Sequence, residues 1–177
     1  RGMFAFTLYD VHERKLFLAR DRVGVKPLCY HTGRDGIAFA SEVKALLQDP
    51  AVGREPDPVA IHHYLTYQAV PAPMSAFRGV RKLPPGHYLE VRDGRVELHR
   101  YWKLSYANPF PVRSAAAERA LEAELLERLE QCVKLRMISD VPLGAFLSGG
   151  VDSSAVVALM ARHSSGPVRT FSIGFDD

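Results

Sequence analysis

The stretch Leu147-Ser148-Gly149-Gly150-Val151-Asp152-Ser153-Ser154 decides the fold of the second half of this sequence of 177 residues. An apolar run at 141–147, which is typical of a buried strand, leads into it, and residues 153–162 have apolar side chains at helical spacing. A second apolar run follows at 168–175. A strand, a glycine loop, a helix and a further strand in this order predict a βαβ unit, and therefore parallel strands.

The same stretch has the chemistry of a phosphate-binding loop. Gly149 and Gly150 allow backbone amides to approach an anion with no side chain in the way. The helix that follows would point its free N–H groups and its positive dipole end at that anion. Hydroxyl donors come from three serines, Ser148, Ser153 and Ser154. The carboxylate of Asp152 would repel a phosphate, so its presence indicates a bridging Mg²⁺ ion.

Several common loop motifs are absent from this stretch. It has neither the G-x-x-x-x-G-K-[ST] pattern of kinase-type loops nor the G-x-G-x-x-G dinucleotide fingerprint. It also lacks the G-x-S-x-G pattern of a nucleophile elbow. It matches S-G-G-x-D-S, the pyrophosphate loop shared by ATP-cleaving adenylating enzymes. The simpler alternative is a strand-to-helix turn that Ser and Asp cap for structural reasons alone.

Outward from the loop, the chain divides into two regions. Residues 114–139 predict a long amphipathic helix, with apolar positions at spacings of three and four. The proline-containing segment 108–113 is the candidate domain boundary. Before it, short strands are expected at 3–9, 15–20, 28–31 and 37–40, and a hairpin at 87–91 and 96–101. Helices are expected at 42–47, capped by Ser41, and from Asp57-Pro58 to residue 68, whereas 70–85 should be extended.

Composition sets the class of protein. Apolar residues make up 47% and charged residues 24%, which is ordinary for a globular domain. The net charge is +3 and acids alternate with bases, so a nucleic-acid partner is not expected. No apolar run is long enough for a membrane span, and Cys29 and Cys132 are expected as free thiols of a cytoplasmic protein. Strand patterns at both ends suggest a longer natural chain.

Several segments together resemble one family, the glutamine-hydrolysing asparagine synthetases. Residues 20–28 are similar to its R-D-x-x-G-x-x-P-L signature, and residues 40–46 to the A-S-E-x-K-A-L that follows. Leu83-Pro84-Pro85-Gly86-His87-Tyr88 resembles the late hairpin of the family. Residues 139–144 lead into the glycine loop as they do in these synthetases. The segments occur in the family's order along nearly the whole chain.

The resemblance implies an α+β region followed by an α/β region. Residues 1–107 would be the C-terminal part of an N-terminal-nucleophile (αββα sandwich) glutaminase domain, and residues 114–177 the start of a Rossmann-like parallel-sheet synthetase domain. In the implied reaction, ATP and Mg²⁺ convert aspartate to β-aspartyl-AMP with release of pyrophosphate, and ammonia from glutamine then gives asparagine. The implied partners are these small molecules, with no nucleic acid and no membrane, and the resemblance is compatible with a homodimer.

The resemblance also implies roles for single residues. Eight positions match its ATP and pyrophosphate site: Leu147, Ser148, Gly149, Gly150, Asp152, Ser153, Ser154 and Ile173. Asp152 would be the Mg²⁺ contact, while Leu147 and Ile173 would face the nucleotide or be simple sheet core. The family's nucleophilic cysteine would precede residue 1, and neither Cys29 nor Cys132 replaces it. No catalytic residue is therefore expected in this chain, and the chain alone is expected to be inactive.

Other candidates have a structural alternative. A contact with a glutaminase site is one explanation for Arg20, Asp21, Gly24 and Lys26. A structural turn explains these residues better, with Asp21 paired with an arginine and Gly24 at a positive φ. Glu42 is favoured at the start of a helix in any case, and Trp102 is expected to be a packing residue. Adjacent His62 and His63 should diverge by about 100° on a helix, too far for one metal. Two alternative functions remain: a β-lactam synthetase-like enzyme without glutaminase activity, and a non-catalytic nucleotide-binding relative.

Overall fold

The computed structural model of the protein describes residues 2–34, 36–106 and 114–174, and the chain divides into two units, Arg1–Ala107 and Asn108–Asp177. The proposed boundary segment 108–113 lies outside the described residues. In the first unit, β1 (Ala5–Asp10), β2 (Lys15–Arg20), β6 (His87–Arg92) and β7 (Arg95–Arg100) form a sheet in the order β1-β2-β6-β7. Every neighbouring pair in this sheet is antiparallel. The hairpin predicted at 87–91 and 96–101 is therefore confirmed, and the strands expected at 3–9 and 15–20 also pair with each other.

A second antiparallel sheet has the order β4-β3-β5, formed by β3 (Cys29–Gly33), β4 (Gly36–Ala40) and β5 (Val80–Lys82). The strand β5 lies within 70–85, where the sequence predicted only extended chain, so that part of the prediction was incomplete. Short strands of this kind are defined by the partner they pair with, here β3, and their composition alone does not reveal them.

The core of the first unit joins the two sheets. Leu18 and Leu89 from the first sheet pack with Tyr30 from the second and with Leu28 and Leu83 from the connecting segments. A smaller cluster lies under the second sheet and helix α1 (Val43–Leu46), and contains Cys29, Leu46, Val52 and Val80. Because side chains alternate along a strand, the adjacent residues Cys29 and Tyr30 of β3 lie on opposite faces and belong to different clusters.

The helices of the first unit match the predicted positions with two differences. The N-cap of α1 is Glu42, which makes no side-chain capping bond, so the prediction that Ser41 caps this helix was wrong. Helix α2 (Pro58–Tyr67) begins as predicted, because the Asp57 side chain accepts hydrogen bonds from Val59 N and Ala60 N. Ala60 is its buried residue. The apolar residues expected on one face, Ile61, Tyr64 and Leu65, are exposed.

The second unit contains α3 (Ala115–Arg136), β8 (Gly144–Phe146), α4 (Val151–His163) and β9 (Arg169–Phe171). Strands β8 and β9 pair in parallel with α4 between them, so the predicted βαβ order is confirmed. Val133 of α3 packs against Leu159 and Met160 of α4, whereas Leu125 of the predicted apolar stripe is 68% exposed. None of the helices in the described part of the chain is long and apolar enough to cross a membrane.

Both strands of the second unit are shorter than the sequence predicted, and α4 begins earlier. The apolar runs at 141–147 and 168–175 contribute three residues each to the sheet, while Phe175 lies outside the described residues. An apolar run shows where a strand can form, but hydrogen bonding to its neighbour determines its ends. Helix α4 starts at Val151, immediately after the second glycine, so the loop is tighter than predicted.

Candidate functional site

The candidate site begins where the paired strands β8 and β9 end. Their register places Phe146 beside Phe171, and Leu147 N donates to Phe171 O at 2.8 Å. The strands approach closely because Gly144 has no side chain: a Cβ there would lie 2.7 Å from the ring of Phe171. The glycine loop therefore leaves the carboxyl edge of a parallel pair, which is where ligands bind in open α/β sheets.

The loop leaves the start of α4 open to a ligand. Gly149 has a φ of +80°, a left-handed conformation that side chains disfavour. Gly150 is the N-cap and makes no side-chain capping bond, and the first helical bond runs from Ser154 N to Gly150 O at 3.1 Å. The amides of residues 151–153 precede that bond and have no acceptor within the helix. Their arrangement, added to the helix dipole, suits an anion.

Two serine hydroxyls meet across the loop. Ser148 Oγ lies 3.1 Å from Ser153 Oγ, and Ser153 Oγ donates to Gly150 O at 3.1 Å. A hydroxyl has one proton, so Ser148 must be the donor to Ser153. Both protons are thus used inside the loop in this structure. Ser154 is exposed, and its backbone N–H starts the helix.

Asp152 is the acidic residue in the first turn of α4, and its side chain is exposed. Its carboxylate favours the positive end of the helix dipole for structural reasons alone. Among the described residues there is no group of three or more His, Cys, Asp or Glu side chains that could hold a metal ion. Magnesium, however, is commonly bound by one or two carboxylates together with substrate phosphates. Asp152 therefore fits a Mg²⁺ ion that arrives with a nucleotide.

The two apolar positions of the predicted site differ in environment. Leu147 is half-buried, and both of its backbone polar groups are bound, the amide to Phe171 O and the carbonyl to the Ser172 hydroxyl at 2.7 Å. Ile173 is 76% exposed, so in the described structure it is not a core residue of this unit. Its expected contact with a nucleotide base stays a prediction.

In the first unit, the Arg20 and Asp21 pair organises a turn. The Arg20 guanidinium donates to three carbonyls, those of Lys26 at 2.8 Å, Gly24 at 2.8 Å and Leu83 at 2.7 Å. The Asp21 carboxylate is fully buried and accepts the backbone N–H groups of Val23, Val25 and Lys26. The expectation of a structural turn holds, and Gly24 has a φ of +72°. The hydrogen-bond donors to the Asp21 carboxylate are backbone amides, and the predicted pairing with an arginine is not found among the residues that the structure describes.

These backbone donors also set the acidity of Asp21. Burial by itself would raise the pKa of this carboxyl group, because it penalises the charged form. The N–H groups of Lys26, Val25 and Val23 stabilise the carboxylate by more than that penalty, and the pKa lies below its ordinary value of 3.8. Asp21 is therefore ionised at neutral pH and acts as an anchor for the turn.

The remaining candidates are structural. Glu42 forms an exposed ion pair with Lys44. Arg22 stacks over Trp102, with its guanidinium carbon 5.8 Å from the ring centre, so Trp102 packs as expected. His62 and His63 have ring centres 6.1 Å apart and belong to no metal-binding cluster among the residues that the structure describes. Cys29 and Cys132 are free thiols, and burial raises the pKa of Cys29.

Two contacts were not foreseen in the sequence. The Tyr101 hydroxyl donates to Arg20 O at 2.7 Å across 81 positions, and the Ser172 hydroxyl donates to Leu147 O across 25 positions. Each of these side chains binds a backbone carbonyl that is distant from it in the sequence. No local spacing signals such a contact, and only the pairing of strands brings the partners together.

Comparison with known proteins gives two family matches in sequence order. Residues 1–102 match the model of the glutamine amidotransferase domain, and residues 124–177 match that of asparagine synthase. A putative glutamine-hydrolysing asparagine synthetase from Mycobacterium tuberculosis is 42% identical over 99% of this chain and 27% of its own length. Asparagine synthetase 1 of Bacillus subtilis is 38% identical over the same shares.

A protein named amidase chry2 from Gibberella zeae is 36% identical over 92% of the chain and 24% of its own length. The chain thus spans about a quarter of the length of the curated relatives it matches.

Proposed function

Because this chain belongs to the glutamine amidotransferase domain family, we propose that it is part of a glutamine-dependent amide-forming ligase. Glutamine would supply ammonia, ATP would activate the carboxylate of aspartate as β-aspartyl-AMP with release of pyrophosphate, and the products would be asparagine, AMP and glutamate. The observation that carries this proposal is the S-G-G-x-D-S loop at the carboxyl edge of a parallel strand pair, with the start of α4 open to an anion.

We propose two domains, 1–107 and 114–177. The two antiparallel sheets packed on a shared core support the N-terminal-nucleophile sandwich as the fold of the first. The parallel βαβ unit supports a Rossmann-like sheet as the fold of the second. We assign no residue of this chain as the glutaminase nucleophile. The proposed activity is therefore that of the whole protein of which this chain is a part.

The loop residues would share the work of holding the pyrophosphate. Backbone amides at Gly149, Gly150 and the first turn of α4 would bind its oxygens, and the hydroxyls of Ser148, Ser153 and Ser154 would donate further hydrogen bonds. A carboxylate is a poor electrophile until its oxygen is joined to a phosphate, and donors fixed in advance stabilise the charge that develops on the leaving group. The amide donors are part of the loop backbone and are already in place, whereas the hydroxyls of Ser148 and Ser153 must first turn from their partners within the loop.

Asp152 would hold the Mg²⁺ ion that accompanies ATP. When bound, the ion would supply positive charge that offsets the charge of the phosphates. Leu147 and Ile173 would lie against the nucleotide base on the side of the sheet edge. We further propose a cytoplasmic enzyme with small-molecule partners only, and a homodimer remains an expectation that rests on the resemblance alone.

The test is ATP–pyrophosphate exchange by the full-length protein. Aspartate should stimulate incorporation of labelled pyrophosphate into ATP, and added glutamine should yield ammonia and asparagine. If none of the amino acids supported exchange, that result would contradict the ligase and favour the non-catalytic relative.

In a second candidate function, the enzyme also adenylates a carboxylate, but the substrate is a carboxylic acid other than aspartate. This candidate is a β-lactam synthetase-like enzyme without glutaminase activity. The relative named amidase chry2 is similar to 92% of this chain, so a protein that is not named an asparagine synthetase has a similar sequence over this region. Exchange that depends on another carboxylate, together with no ammonia from glutamine, would select this second candidate.

A further inference from the structure

The residue that leads into the glycine loop is bound by a side-chain hydroxyl that the proposed site does not include. Ser172 follows β9 directly, and its Oγ donates to Leu147 O at 2.7 Å. Leu147 is the last residue before the loop, and its N–H is held by Phe171 O at 2.8 Å. The consecutive residues Phe171 and Ser172 therefore bind the backbone N–H and the backbone carbonyl of Leu147, respectively.

The Ser172 contact continues the strand pairing beyond the sheet. The last paired position is Phe146 beside Phe171, and a parallel ladder could extend only through backbone groups. The hydroxyl replaces such a backbone donor at the next step. Without it, the Leu147 carbonyl would lose its only described partner and the peptide that leads into Ser148 could rotate.

The position of the contact connects two parts of the proposed site. On one side it fixes the peptide from which Ser148 and Gly149 start. On the other side Ser172 directly precedes Ile173, the proposed base contact. The Ser172 hydrogen bond thus links the phosphate loop to the base position, beside the bond from Leu147 N to Phe171 O.

We propose that Ser172 is a positioning residue for nucleotide binding, acting through the Leu147 carbonyl on the glycine loop. This inference rests on the proposed function. Ser172 has no described contact with the hydroxyl pair across the loop, so its action is to orient the entry peptide and it takes no part in the chemistry.

The test uses the full-length protein with three substitutions. Ser172→Ala removes the hydroxyl, and Ser172→Thr retains one. Thr170→Ala is the matched control, because it removes an exposed hydroxyl two residues earlier on β9, for which the described structure shows no hydrogen bond. The measurements are the Kd of ATP with Mg²⁺ by calorimetry, and hydrogen exchange without nucleotide at the Leu147 and Ser154 amides, which are hydrogen-bonded on either side of the glycines.

Ser172→Ala should raise the Kd by about fivefold, the scale of one net hydrogen bond, and should speed exchange of the Leu147 and Ser154 amides by a similar factor. Ser172→Thr should restore most of both, and Thr170→Ala should match the wild type. If the wild type binds ATP and Ser172→Ala equals Thr170→Ala in both measurements, this inference alone is overturned. A wild type that does not bind ATP overturns the proposed function and this inference with it.

Discussion

The guanidinium of Arg20 reaches the carbonyl oxygen of Leu83, 63 positions later, at 2.7 Å. The same group also binds the carbonyls of Gly24 and Lys26, so one side chain joins the end of β2 to its own turn and to the segment before β6. A planar fork of five N–H donors can serve several acceptors at fixed angles, which a lysine ammonium cannot reproduce.

Arg20→Ala should destabilise the protein by about 3 kcal/mol, because hydrogen bonds from charged groups contribute about 1.5–3 kcal/mol each and are not fully additive. Arg20→Lys should recover less than half of that loss. Urea unfolding followed by circular dichroism measures both, and Arg81→Ala on β5, an exposed arginine, is the control. Equal stabilities for Arg20→Lys and the wild type would contradict the importance of the fork.

Asp21→Asn should cost about 2 kcal/mol at pH 7, since the amide cannot accept all the N–H groups that the carboxylate accepts. The folded-state pKa of Asp21 is lowered below 3.8, so its stabilisation is complete above the unfolded pKa and declines as pH falls below it. Unfolding curves from pH 7 down to acid should show the two proteins converging below about pH 4. A stability difference that stays constant through that range would disprove the assignment.

Gly86 and Gly94 provide a matched pair of positive-φ glycines. Both lie in the left-handed region, at +68° and +77°, but a Cβ on Gly86 would lie 2.6 Å from the Trp102 carbonyl oxygen, while one on Gly94 would meet nothing within 4 Å. Gly94→Ala should cost about 1 kcal/mol from conformation alone. Gly86→Ala should cost about 3 kcal/mol or more, because the backbone of Trp102 must move.

Thermal and urea unfolding of the two glycine variants, measured together, separate conformational strain from steric overlap. Similar losses at both sites would mean that the contact with Trp102 relaxes freely.

Asp152→Asn should weaken ATP binding by the full-length protein by about tenfold when Mg²⁺ is present, and much less when it is absent. Loss of the helix-dipole contact should cost about 0.5 kcal/mol of stability in either condition. Titration calorimetry with and without the ion distinguishes the two effects. Unchanged affinity with Mg²⁺ would rule out a metal role for this carboxylate.

Much of this architecture follows from local sequence rules. The Asp57-Pro58 helix start, the hairpin of β6 and β7 and the parallel βαβ order are each determined by cap chemistry, turn residues or apolar spacing within a short window. The glycine loop was also located from sequence, because its glycines and serines are adjacent in the chain.

The features that sequence reasoning missed depend on distant partners. Strand β5 exists because Val80 and its neighbours find β3, and Asp21 binds backbone amides that its turn brings inward. Ser172 gives no local signal either, since its acceptor lies 25 positions away. Such contacts depend on which strands become neighbours, and a single sequence read locally does not contain that information.

The pair of hydroxyls at Ser148 and Ser153 has a kinetic consequence. The Ser148 proton points to Ser153 Oγ and the Ser153 proton to Gly150 O, so donating to an anion requires only that two O–H bonds rotate. Rotations of exposed side-chain groups take picoseconds to nanoseconds, far less than the microseconds or more of lid motions. We therefore expect the loop to capture its ligand on first encounter, at an association rate set by diffusion and charge rather than by any opening of the loop.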